Sequence, residues 1–171
     1  MKKIVIYASL SGNTKKIGEA IAQQIGCEAI SYTDERAKDI SGFDFVAIGF
    51  YIDKGGPEAH FKRYIKEHVK GKKTGLFITL GADPTGEHGE SMLKVGRELL
   101  NEGGNEILAE FICQGAIDPK VIEEMKEMAA KMGDKAIHLI TPERQATWKQ
   151  ASTHPDENDL KNARKAFEGI K

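Results

Sequence analysis

Three hydroxyls and a glycine stand together near the start of the chain, in Ser9-Leu10-Ser11-Gly12-Asn13-Thr14. The apolar run Ile4-Val5-Ile6-Tyr7-Ala8 precedes them and a helix-period segment follows, which predicts a position between a buried strand and a helix. The first turn of a helix has unpaired N–H groups and the positive end of the helix dipole, so it attracts anions. Hydroxyls at positions 9, 11 and 14 would add donors around a phosphate, and Gly12 would let the backbone come close to it. The stretch has neither the G-x-G-x-x-G spacing of dinucleotide sites nor the Gly-Lys-Ser/Thr ending of the Walker loop. A capped helix start without a ligand is the competing reading.

Two further stretches have ligand-type composition. Tyr51-Ile52-Asp53-Lys54-Gly55-Gly56-Pro57 joins an aromatic to a glycine pair, and Gly81-Ala82-Asp83-Pro84-Thr85-Gly86 is small and polar. No Ser-His-Asp order or carboxylate pair stands out, so no side chain is assigned a catalytic role. His60 and His68 lack partners at zinc-helix spacing and read as solvated or packed. Cys27 and Cys113 form no C-x-x-C, which leaves no metal or disulfide reading, and Cys27 reads as a small buried hydrophobe.

The elements that must position these loops alternate. Glu28–Ser31 is a short second strand, Phe45–Phe50 and Gly75–Leu80 are unbroken apolar strands, and Ile107–Cys113 is a fifth. Helical stripes lie between them: Ile17, Ala20, Ile21 and Ile25, then Phe61, Tyr64, Ile65 and Val69, then Met92, Val95, Gly96 and Leu99. Gly103 is the expected left-handed cap of the third helix. The polar segment Asp34 to Ile40 has room for one or two helical turns, and Asp118-Pro119 opens the helix after the fifth strand, with Val121, Met125, Met128 and Met132 expected to fill the core. Five alternations predict a parallel sheet with helices on both faces, with ligands outside the carboxyl ends of the strands. The three loops all lie at such ends, so one ligand could touch them all. From Ile140 on, Thr141-Pro142 opens a short helix holding Trp148, and a last helix repeats Leu160, Ala163, Phe167 and Ile170. This 141–171 extension is expected to pack on the domain or on a partner, being too small for its own core.

Lys and Arg number 25 against 26 Asp and Glu, a formal charge of -1, so no general nucleic-acid surface is expected. No apolar run approaches the roughly 18 residues of a membrane span. The opening apolar run is shorter than the roughly 7 to 15 residues of a signal-peptide core. These features predict a cytoplasmic protein.

On the Ser9–Thr14 pattern, with the loops at Tyr51–Gly56 and Thr79–Pro84, the chain resembles the flavodoxins over roughly residues 1 to 140. The resemblance implies a five-stranded doubly wound sheet of order 2-1-3-4-5 and non-covalent FMN. It implies the FMN phosphate at Ser9, Leu10, Ser11, Gly12, Asn13 and Thr14, with the ring between Tyr51, Ile52, Asp53, Lys54 and Gly55 on one side and Thr79, Leu80, Gly81 and Ala82 on the other. Tyr51 would stack on the ring, with Trp148 in reserve. Lys54 and Gly55 lie where flavodoxins turn a peptide toward flavin N5, and Asp53 either fixes that loop or is a plain turn carboxylate. A nearby Lys54 would raise the flavin potential, whereas Asp53 or Asp83 would oppose it. Cys113-Gln114-Gly115-x-Ile117-Asp118-Pro119 and His154-Pro155-Asp156-x-x-Asp159-Leu160 are similar to a bacterial flavodoxin-like family with an extended C-terminus, some of whose members are encoded beside bilirubin reductases. The implied role is electron transfer with a partner reductase. The alternatives are an NAD(P)H-dependent flavin, quinone or tetrapyrrole reductase, and a non-redox binding module. Two departures from ordinary flavodoxins are the near-neutral charge and the tail.

Overall fold

The computed structural model describes residues 1–136 and 140–171. The boundary drawn at residue 140 abuts residues 137–139, which lie outside the described residues. Five strands, β1 (Lys3–Tyr7), β2 (Ala29–Ser31), β3 (Phe45–Tyr51), β4 (Lys73–Leu80) and β5 (Glu106–Gln114), form one parallel sheet in the order β2-β1-β3-β4-β5. The unbroken apolar runs occupy its centre because residues there are covered on both faces: Phe45 to Phe50 and Leu76 to Ile78 lose essentially all contact with solvent. The register pairs Tyr7 with Gly49, Tyr51 with Thr79, and Leu80 with Gln114. The carboxyl ends of four strands therefore reach one edge.

Helices α1 (Asn13–Ile25), α2 (Ala59–His68) and α3 (Glu87–Glu102) follow β1, β3 and β4. Alternation sends Ile4, Ile6, Ile48 and Ile78 to the face covered by α2 and α3, and Val5, Tyr7, Ala47 and Phe77 to the face covered by α1. At the end of α3 it is Gly104, with φ +68°, that takes the left-handed conformation, whereas Gly103 has φ −84°. Gly103 is small for another reason, since a Cβ there would stand 2.5 Å from the Val69 carbonyl oxygen.

The assignment of the next helix to the sheet is corrected by the structure. Among the described residues, α4 (Pro119–Met132) buries none, and Met128 and Met132 are 54% and 43% exposed. Its place beside α1 is taken by the last helix, α6 (Glu157–Ala166), with Leu160 and Ala163 buried; the helix ends sooner than expected, and Phe167 and Ile170 are buried just past it. An apolar stripe shows that a helix has a sticky side but does not say which of two candidates will reach the vacant layer. Phe167 decides the matter: its ring lies where a Cβ on Gly75 would be 2.3 Å away, so that strand position is left bare to receive it. Between α4 and α6 lies α5 (Pro142–Ala151), whose Thr141 hydroxyl accepts from the Arg144 amide and whose single buried residue is Ala151. The chain thus detours through α4 and α5 before closing the sheet with α6.

Candidate functional site

The loop after β1 turns on Gly12, whose φ of +96° and ψ of −8° an L side chain adopts only with strain. The amides of Gly12 and Lys15 both donate to Ser9 Oγ, at 3.1 and 3.3 Å, so donors converge on one oxygen as they would on an anion. The first turn of α1 carries no acidic residue to oppose it. The three hydroxyls differ in surroundings: Ser11 is exposed, Ser9 is half-buried, and Thr14 is buried with its hydroxyl 2.9 Å from that of Thr79. That bond ties the first loop to the end of β4. Asn13 reaches across the sheet edge, its Nδ2 donating to the Ala116 carbonyl at 2.7 Å.

Beyond β3, Asp53 and Gly56 exchange backbone hydrogen bonds of 2.7 and 3.3 Å around a two-residue turn. Both turn residues have positive φ, +51° at Lys54 and +87° at Gly55, the pattern of a tight hairpin. Glycine accepts this freely and lysine at some cost. The loop after β4 is held by Asp83, whose Oδ1 accepts from the Thr85 amide and hydroxyl at 2.8 and 2.7 Å. Those bonds hold the Asp83 carboxyl below the usual carboxylate range.

A cleft opens where these loops meet. Leu10, Ser11 and Asn13 form one wall, Tyr51, Ile52 and Asp53 a second, and Thr79, Leu80 and Gly81 a third. Outside this lining lie Ser9 and Gly12 in the first loop, Thr14 in the first turn of α1, and Lys54 and Gly55 at the hairpin tip, while Ala82 borders an adjoining chamber. Tyr51 is half-buried at the cleft, and its phenol is raised above its ordinary range by burial and by the nearby charges of Glu58 and Asp53. Trp148 belongs to the adjoining chamber, with Met125, His88 and Asp83. Ile52, Leu80, Gly81 and Ile117 border both spaces.

A fourth wall, Gly115, Ala116, Ile117 and Asp118 with Val121 behind it, was not assigned to the site from sequence. The available signals were the glycine directly after β5 and the position at a fourth carboxyl end. Gly81 permits this wall, because a Cβ there would stand 2.5 Å from Ile117.

The donors, the absence of a Cβ at Gly12 and the aromatic and aliphatic walls fit a phosphate joined to a flat, largely apolar ring. Residues 4–168 match the family model described as a flavodoxin domain. The chain belongs to this family. It is similar to the flavodoxin-like domain-containing protein BilS of Clostridioides difficile strain CD3, at 32% identity over 167 residues, covering 95% of this chain and 92% of that protein. A protein of the same name from Clostridium symbiosum strain WAL-14163 is 25% identical over 177 residues, covering 94% of this chain and 90% of that one. Among solved structures, a flavodoxin from the domain Archaea aligns with a TM-score of 0.64 at 18% identity, covering 99% of this chain and 96% of that one. A short-chain flavodoxin associated with a bacterial microcompartment aligns at 0.61 and 15% identity, covering 99% and 97%. The fold and strand order are those of the flavodoxins, and no helix among the described residues is long and apolar enough to cross a membrane.

The cysteines of this flavodoxin-like chain stand apart from the cleft chemistry. Burial pushes the Cys27 thiol up to about 11, and burial together with the charges of Asp159 and Asp156 raises Cys113 further. A raised pKa keeps the thiol neutral until the pH approaches it, and only the thiolate attacks. Iodoacetamide at pH 7.5 should therefore add nothing to the folded protein within an hour, and two groups, one on each cysteine of the chain, after denaturation. Intact mass measures both, and rapid labelling of the folded chain would contradict the burial described.

Proposed function

We propose that this protein binds FMN non-covalently in the cleft and carries electrons to or from a partner reductase. The observation that supports it is the convergence of three ligand-type loops on one sheet edge, where the Gly12 and Lys15 amides gather on Ser9 Oγ at the head of α1. In this reading Ser9, Ser11, Gly12, Asn13 and Thr14 surround the phosphate, and Tyr51 covers a face of the ring. The backbone of Leu80, Gly81 and Ala82 meets the polar edge, and Ile52, Leu80 and Ile117 exclude water. When bound, FMN supplies the one- and two-electron chemistry, and the chain's part is binding, orientation and the local field. The hairpin at Lys54 and Gly55 sets the charge and backbone donors nearest the ring. The nearly balanced composition supports a partner recognised by shape and apolar contact rather than by opposite charge.

Purified protein should be yellow and release FMN on denaturation, identified by chromatography and fluorescence. A colourless protein that also fails to take up added FMN would refute the proposal. The adjoining chamber favours a second reading, in which the same flavin reduces a small quinone, flavin or tetrapyrrole with electrons from NAD(P)H. Steady NAD(P)H oxidation by the protein alone supports that reading, and its absence across several acceptors supports the carrier.

A further inference from the structure

The segment before α6 is bonded to the two neighbours of the phosphate loop, the turn after β5 and the first turn of α1. The Ala116 amide donates to the His154 carbonyl at 2.8 Å, and the Ala116 carbonyl in turn accepts from Asn13 Nδ2 at 2.7 Å. On the other side, Lys16 Nζ, one turn into α1, donates to the Pro155 carbonyl at 2.8 Å. These contacts join residues 103 and 139 positions apart, so they are imposed by the tertiary fold and not by local turns. Gly115 is small enough for the approach, since a Cβ there would stand 2.9 Å from Asn13 Nδ2.

The segment itself is rigidly made. His154 Nδ1 lies 2.6 Å from Asp159 Oδ2, which also accepts the Asp156 amide at 2.8 Å, while Asp156 Oδ1 accepts the Asp159 amide at 3.0 Å. A reciprocal cap thus opens α6, and the His154 side chain is pinned to its acidic member. The polar atoms of His154, Asp156 and Asp159 lie within 4.8 Å of one another and are engaged in these bonds. Below them, Leu160, Ala163 and Phe167 fix α6 in the core.

We infer that His154 and Lys16 are positioning residues for the phosphate loop: they fix the main chain at residues 154 and 155, whose His154 carbonyl holds Ala116, which in turn holds Asn13 at the sheet edge, and so set the preference for FMN over riboflavin. This rests on the FMN reading. The path runs from the His154–Asp159 pair through two main-chain bonds of Ala116 to a side chain in the loop. Removing its first link loosens the main chain whose carbonyl holds Ala116, and with it the anchor of Asn13 beside the phosphate loop. Riboflavin lacks the phosphate, so its binding is largely blind to that change, whereas a general loosening of the protein weakens both flavins alike.

The test compares FMN and riboflavin dissociation constants, by quenching of flavin fluorescence, in wild type, His154→Ala, His154→Asn, Asn13→Ala and the double variant His154→Ala with Asn13→Ala. Loss of one or two hydrogen bonds predicts about a tenfold weaker FMN affinity in His154→Ala, with riboflavin changed less than about twofold. His154→Asn, whose amide can replace the Nδ1 donor, should recover most of the preference. The double variant should be no weaker than the poorer single one, because both cuts lie on one path. Should His154→Ala fail to fold by circular dichroism, Lys16→Met gives the same comparison, with Lys15→Met controlling for charge. Lys15 faces solvent and pairs with Glu19 at 3.8 Å, so the Lys16 change should lower the preference more than the Lys15 change. Equal losses for both flavins, an unchanged preference, or additive effects in the double variant would overturn the inference while leaving the FMN reading intact. Wild type that binds neither flavin overturns the FMN reading and this inference with it.

Discussion

Phe167→Ala should lower the free energy of unfolding by about 3–5 kcal/mol, the range found when a large aromatic is cut from a close-packed core. The ring is fully buried, rests on the bare backbone of Gly75 and faces the core position of Phe45. Nothing nearby can fill the space, because Gly75 offers no side chain and the strands on either side are fixed by their ladders. Domains of this size are stable by about 5–15 kcal/mol, so the variant would lose a large part of its margin. Urea unfolding followed by circular dichroism measures the change. A loss below about 1 kcal/mol would mean that α6 is a surface attachment and not a layer of the sheet. The reverse substitution, Gly75→Ala, should also destabilise, since the added methyl meets the same ring.

Gly12→Val should weaken FMN binding by about 100-fold or more, equivalent to about 2.7 kcal/mol, while costing the unliganded protein only about 1–2 kcal/mol. Two separate effects are involved. In the free protein a Cβ at Gly12 meets nothing within 4 Å, so no protein atom is displaced and the cost is that of holding a branched residue at φ +96°. In the bound protein the same carbon stands over the amides that must approach the phosphate, and the loop has to move away from its positive φ to relieve itself. Flavin fluorescence titration and thermal unfolding separate the two effects. Unchanged FMN affinity would remove the loop from the site.

Much of this arrangement is legible in the residues alone, for a physical reason. A strand buried on both faces must be apolar throughout, so Phe45 to Phe50 and Leu76 to Ile78 declare themselves, and the polar, glycine-bearing segments just past them mark the edge where the cleft opens. The Ser9–Thr14 stretch is legible as the strand-to-helix turn that it forms, because hydroxyls around a glycine just past a buried strand suit a helix start. The fourth wall escaped because Gly115 and Ala116 act through backbone and smallness, and Asp118-Pro119 accounts for itself as a helix start. The choice between α4 and α6 escaped because both carry apolar stripes. Only the three-dimensional match of Phe167 to Gly75 distinguishes them, and two residues so far apart in the chain leave no local pattern.

The detour between β5 and α6 has a consequence for how such a molecule can change. Its two helices bury only Ala151 among the described residues and hang over the rim beside Leu80 and Ile117. Away from the buried Ala151, substitutions at their exposed positions carry little folding penalty, as surface changes usually do. The scaffold therefore wears a replaceable visor: its length, charge and oiliness are open to revision, and with them whatever is admitted at the rim, while the machinery underneath stays as it is.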